Sequence, residues 1–314
     1  MNWGVHDVFT REQYEENLLG ARTAIPKILE LFKRYEIHAT WATVGLLYFN
    51  SKQELLKNLP VLQPSYLDST LTPYRKLDLI GEDEQKDPLH FASSIINEIA
   101  QVPHQELASH TFSHYYCMEK GQTVEEFEVD LLASKSVTVG NGHQFESLVF
   151  PRNQTNESYL MVCKNHGITS YRGNEKSWVY RASVSHSEGI GKRLLRLSDH
   201  YTNLFGHHTY PLAKVNRDPI VNLPSSRFLR PYHAQLKLME PLRLRRIKKS
   251  LMHAAKNGEV FHLWWHPHNF GKNTDENIRI LTEILDLVST LRNEYGFKSL
   301  NMREASSYVL QLND

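Results

Sequence analysis

Apolar residues recur along this chain in two alternating rhythms. Over residues 23–35 (TAIPKILELFKRY), Ile25, Ile28, Leu29 and Phe32 stand three or four apart, the spacing of one buried helix face. Thr23 is placed to cap that helix, which leaves Pro26 in its tolerant first turn. HATWATVG follows, a short β-prone run closed by Gly45. Residues 45–59 return to helical spacing. Residues 60–87 break the rhythm: they are polar, carry three prolines and show no period. Long excursions of that kind in compact enzymes often border the site. The alternation then resumes, predicting a helix over 89–99, a strand over 106–109 and a helix over 124–137. LVFPR (148–152) reads as a strand, 157–165 as a helix, and GITSYRG as another short strand. The pattern is irregular up to about Tyr232. Beyond it come a helix over 242–256, a buried strand running into a loop (EVFHLWWHPHN), a helix over 277–295 and a strand in KSLNM. Repeated β–α units with short connections predict an α/β fold, either a mainly parallel sheet or a barrel flanked by helices. The chain reads as one catalytic domain, with 60–87 and 173–232 as elaborations.

Composition narrows the classes. At 314 residues the chain can bury a sizeable core. Lys plus Arg is 36 against 35 for Asp plus Glu, so no global field favours nucleic acid or an anionic membrane. The basic run LRLRRIKK (242–249) is a local exception, read as a solvated helix face. Cys117 and Cys163 form no CxxC and no disulfide framework, which suits a reducing compartment. The sequence has neither an apolar run of membrane-spanning length nor a signal peptide, so the expectation is a soluble, cytoplasmic chain.

Chemistry enters at ELASHTFSHYYC (106–117), where His110 and His114 stand four apart. Two imidazoles so spaced can reach one ion at about 2.0–2.1 Å. With 17 histidines in the chain, the spacing alone fits a metal grip and an ordinary polar turn equally well. Position favours the metal, because the pair directly follows a predicted strand and ligands in α/β folds gather at the carboxyl ends of strands. Two more clusters occupy equivalent places. Arg152 ends LVF, and His266 and His268 end the last apolar strand. Trp264 and Trp265 alternate across that strand, and a core role for both is the expectation.

The order HATWATVG, HTFSH, FPRNQ, FHLWWHPH resembles the polysaccharide deacetylase family, also called the NodB-homology domain or carbohydrate esterase family four, over roughly residues 3 to 305. The resemblance implies a distorted (β/α) barrel, short of eight regular strands, that removes N-acyl groups, usually acetyl, from amino sugars with a divalent ion, Zn²⁺ foremost. It makes His110 and His114 metal ligands and gives Arg152 the role of bracing the catalytic base. His266 becomes the general acid, with His268 as the rival and Pro267 keeping the two from pointing the same way by helical spacing. The implied partner is an N-acylated amino sugar of a surface glycan or its precursor, with no nucleic acid.

One motif departs from that pattern. The family's first strand carries two acidic residues, a base and a third metal ligand, whereas this chain starts MNWGVHD. Relatives place the pair just before a Trp-Gly turn like Trp3-Gly4, so the acidic strand is expected upstream of Met1. Its absence would leave Arg152 facing no carboxylate. His6 and Asp7 are the available substitutes, Asp7 as a metal ligand, against a turn or capping role. Two functions of different class follow: a metal-dependent deacylase, or a non-catalytic carbohydrate-binding homologue.

Overall fold

The computed structural model describes residues 1–182 and 189–312, so part of the predicted 173–232 elaboration lies outside the described residues. Helix α1 (Arg11–Arg34) starts well before residue 23. Its start is capped at Thr10, whose amide donates to the Gln13 side chain at 3.1 Å. Leu18, Ala21 and Ala24 extend the buried face backwards, so Thr23 and Pro26 are both interior residues rather than a cap and a first turn. An interior proline forfeits a backbone hydrogen bond. The continuous apolar face, at about 1.5–3 kcal/mol for each large side chain buried, outweighs that loss.

Strand β1 (Ala39–Thr43) follows. A Cβ on Gly45 would stand 2.7 Å from the Phe112 ring, so this glycine serves close approach between β1 and the histidine loop. The helix predicted over 45–59 is broken. Residues 45–47 make a single 3₁₀ turn, and α2 (Lys52–Lys57) begins only after Ser51, which accepts from the Glu54 amide at 3.2 Å. Next come α3 (Ser93–Gln101), β2 (Gln105–Ser109), α4 (Val124–Gly140), a two-residue β3 (Ser147–Leu148), α5 (Glu157–Asn165) and β4 (Ser170–Gly173). The irregular stretch holds α6 (Ile190–Asp199), β5 (Val221–Pro224) and β6 (Arg227–Phe228). The chain continues with α7 (Glu240–Asn257), β7 (Leu263–Trp264), α8 (Thr274–Tyr295) and α9 (Met302–Gln311). KSLNM forms no strand. Asn301 caps α9, accepting from the Glu304 amide at 2.9 Å, and the Ser299 hydroxyl accepts from the His38 amide.

Strands β1 to β5 form one parallel sheet in chain order, and β6 and β7 form a second parallel pair. The register sets Ser109 beside both Thr43 and Leu148, so the loops leaving β1, β2 and β3 emerge at one edge. Among the described residues β1 pairs only with β2 and β7 only with β6. A cavity of about 1230 Å³ runs between β1 and β7. His110, His114, Arg172, His266 and His268 line its upper part, and His38 and Glu304 lie at the other pole. An apolar cluster with Ile28, Phe32, Leu251, Leu281 and Ile284 backs one side, and one with Ile25, Val44, Leu47, Ile95 and Ile96 backs another.

The basic run at 242–249 is a solvated face only in part: Arg245 and Lys249 are exposed, but two of its arginines turn inward. Arg243 and Arg246 are buried; Arg243 pairs with Glu240 and donates to the Arg230 carbonyl, and Arg246 donates to the carbonyls of Thr202 and Gly206. These carbonyls belong to irregular backbone, and a buried carbonyl must find a donor somewhere. Cys117 and Cys163 are free and buried, and no helix of the described residues is long and apolar enough to cross a membrane.

Candidate metal and catalytic centre

The loop after β2 is tightly constrained. Thr111 (φ 64°) and His114 (φ 62°) both adopt the left-handed conformation, unfavourable for residues with a Cβ. Asp130 on α4 holds them there: it accepts from the Phe112 amide at 2.7 Å, the Ser113 amide at 3.0 Å and the Ser113 hydroxyl. Burial pushes the Asp130 carboxyl up to about 6, against the pull of those three donors. The Thr111 hydroxyl accepts from the Tyr115 amide at 2.7 Å and donates to the His110 carbonyl.

That loop brings the rings of His110 and His114 to 4.8 Å between centroids. His110 Nδ1 lies 2.6 Å from the Val149 carbonyl, which can only accept, so Nδ1 carries the proton and Nε2 presents a lone pair. His114 Nδ1 lies 3.0 Å from the Tyr116 oxygen. Tyr116 donates its own proton to Asp7 Oδ2 at 3.1 Å, so its oxygen accepts from His114. Burial pushes His110 down to about 3 and His114 well below its ordinary value, so both are uncharged near neutral pH. Neutral imidazoles with anchored Nδ1 and open Nε2 are what a divalent ion requires.

Asp7 does not join them. Its side chain, 1 % exposed, is ion-paired with Arg152, and the only group of described His, Cys, Asp and Glu residues within reach of one ion is His38, His104 and Glu304, at the opposite pole of the sheet. The physical reason is charge: a buried carboxylate goes to the nearest guanidinium. Nor is Arg152 left without a carboxylate. It meets Asp7, stands 3.3 Å from Glu119, and lies over the Tyr116 ring at 4.2 Å.

On the facing wall, His266 has extended backbone (φ −97°, ψ 131°) and precedes a 3₁₀ turn, Pro267–Phe270, that carries His268. Their rings stack 5.0 Å apart at 8°, a shared direction that does not come from helical spacing. His266 opens onto the cavity, yet the walls around it, and then Arg172, push it down to about 4. His268 is held well below its ordinary value by burial and by His266, and its ring meets Tyr14 edge-on at 5.4 Å. Helix α1 fixes this loop at close range: a Cβ on Gly20 would stand 2.0 Å from the Gly271 carbonyl oxygen. Of the two tryptophans, Trp265 packs on Phe270 and Phe32 as a core residue does. Trp264 instead carries the Arg172 guanidinium 4.1 Å above its ring and turns its edge to His266.

Residues 19–171 match the family model described as polysaccharide deacetylase. Over that stretch, a little under half of its length, the chain is similar to the polysaccharide deacetylases. The fold agrees. The crystal structure of a candidate polysaccharide deacetylase from Mycobacterium smegmatis superposes with a TM-score of 0.54, over 94 % of this chain and 79 % of that one, at 11 % identity. A 4-alpha-glucanotransferase from Thermococcus litoralis reaches 0.48 at 12 % identity, over 95 % of this chain and 38 % of the other, a likeness too weak to carry an argument. No curated protein matches the chain in sequence. The two parallel sheets and their helices therefore make an α/β fold like that of the Mycobacterium smegmatis structure.

The matched stretch contains His110, His114 and Arg152 and ends before Arg172, His266 and His268. Sequence reasoning passed over Tyr116, Asp130 and Arg172. Tyr116 stood in view two residues after His114, and an extended run of that spacing could have suggested it. Asp130 sits on a helix whose apolar face is not cleanly separated, and nothing in its spacing pointed to the loop.

Proposed function

We propose that this chain is a metal-dependent hydrolase that removes an N-acyl group, acetyl foremost, from an amino sugar of a surface glycan or its precursor. The observation that carries this is the pair of buried, neutral imidazoles, both anchored at Nδ1 and both open at Nε2. An amide is a poor electrophile, and a divalent ion, Zn²⁺ in this reading, supplies carbonyl polarisation and a water made acidic near neutral pH. His110 and His114 would hold that ion. Tyr116 and Asp7 keep His114 in the required tautomer, and Arg152 neutralises Asp7. His266, uncharged at neutral pH, would take up a proton during attack and return it to the departing amine.

The test is paired metal analysis and amine release on N-acetylated chito-oligosaccharides. His110→Ala and His114→Ala should each lose metal and turnover while staying folded; stoichiometric metal kept in both variants would refute the assignment. His266→Ala should keep its metal and lose roughly 10²–10⁴-fold in turnover. If His268→Ala shows that loss instead, the proton carrier is His268.

A second reading, a non-catalytic carbohydrate-binding homologue, has one observation in its favour. Among the described residues no carboxylate joins His110 and His114 within reach of one ion, and catalytic zinc sites use three protein ligands. Sugar binding without amine release in zinc-loaded protein would establish it.

A further inference from the structure

Arg172 lies near the carboxyl end of β4, with Leu223 of β5 as its ladder partner. It is 9 % exposed and lines the same cavity as His110 and His266. Nη2 donates to Asn153 Oδ1 at 2.6 Å, while Nε is buried with no partner. A guanidinium offers five N–H donors in a rigid fork. Among the described residues, Asn153 supplies the only hydrogen bond to the Arg172 side chain, and the buried Glu175 carboxylate acts on it electrostatically without forming an ion pair. The other buried arginines differ. Arg227 and Arg246 share Asp199, and Arg243 has Glu240. An unpaired buried charge is costly, and here it borders an open cavity rather than packed core.

We propose that Arg172 receives an anionic group carried by the substrate itself, a carboxylate or a phosphate on the N-acylated sugar, so that acidic amino sugars are preferred to neutral ones; this deepens the deacylase reading of the same cavity and rests on it. The fork matches two oxygens of either group in parallel. Trp264 below and Asn153 beside fix its plane before the ligand arrives, which reduces the ordering cost of binding. Burial lowers Arg172 only to about 10, so it remains a cation at neutral pH. Arg172 lines the same cavity as His110, His262 and His266.

The test compares N-acetylglucosamine, its 6-phosphate and the corresponding uronic acid, by calorimetry and by amine release, with the full chain at fixed ionic strength. The charged sugars should bind about 10- to 100-fold more tightly than the neutral one. Arg172→Met should bring all three to the neutral level. Arg172→Lys should retain more of the gain for phosphate than for carboxylate, because the fork is lost and the charge kept. Equal binding of the three sugars by the unmodified protein overturns the proposal, whether or not the variants fold. So does a preference that survives in Arg172→Met. Preferential binding without amine release from any sugar would sink the deacylase reading and leave the anion subsite standing. Turnover of the neutral sugar as efficient as that of the charged ones would do the reverse.

Discussion

Replacing Asp130 with alanine should open the histidine grip without touching a histidine. The carboxylate serves three buried donors, the amides of Phe112 and Ser113 and the Ser113 hydroxyl. Each donor left unmet costs about 1–3 kcal/mol. The loop they hold contains two left-handed residues with a Cβ, Thr111 and His114, each strained by roughly 1–2 kcal/mol. With Asp130 in place the hydrogen bonds outweigh the strain. Without it, both the unmet donors and the strain favour movement toward water, so the loop relaxes and the two Nε2 atoms diverge. Zinc affinity, measured by calorimetry against a competing chelator, should fall at least tenfold, and the melting temperature should drop by several degrees. Asp130→Asn, which keeps one acceptor, should lie between. Because burial raises the folded carboxyl to about 6, above its ordinary 3.8, ionised Asp130 destabilises the fold increasingly as pH rises through 6. The asparagine variant should therefore compare better with the parent at pH 7.5 than at pH 5. A folded Asp130→Ala protein with unchanged zinc affinity would refute the reasoning.

Other expectations follow from the same geometry. Tyr116→Phe removes the acceptor for His114 Nδ1 and should weaken metal binding about 10–100-fold with little change in melting, as loss of a ligand's hydrogen-bond partner does; undiminished affinity in a metal titration would count against the relay to Asp7. Gly20→Ala improves helix propensity by about 1 kcal/mol, yet its Cβ would strike the Gly271 backbone, and overpacking of this kind costs about 1–3 kcal/mol. Calorimetric melting should show net destabilisation and turnover should fall as the His266 loop shifts, while a raised melting temperature would contradict the packing. His207, His208 and His262 are each pushed down to about 4 by burial and stay neutral in the fold. Unfolded histidine binds its proton near 6.5, so stability should be flat above that pH and fall between about 6.5 and 4, readable in denaturant midpoints across that range.

The β–α alternation was legible because period-2 and period-3.6 patterns are local: β1, β2, α4, α5 and α8 lie where the apolar spacing puts them. The errors came where tertiary contacts decide. Pro26 reads as a helix start until Leu18 and Ala21 are seen to pack, and KSLNM reads as a strand until Asn301 is needed as a cap. The run LRLRRIKK looks solvated because nothing local shows that the backbone around residues 202–206 needs its arginines as donors. At the candidate site, HTFSH and HPH could be read directly, since spacing and strand ends mark them. Asp7 could be noticed but not placed, because its partner Arg152 is 145 residues away. Arg172 passed unnoticed within GITSYRG, since only the fold lays it over Trp264.

The central claim, that His110 and His114 hold an ion used for amide hydrolysis, is tested most directly by amine release from an N-acetylated chito-oligosaccharide. The protein is stripped with a chelator, assayed, then titrated with Zn²⁺. Activity absent after stripping, restored at about one ion per chain and not restored in His114→Ala is the predicted result. Turnover that is indifferent to chelation, or zinc-restored turnover that survives His114→Ala, would contradict it.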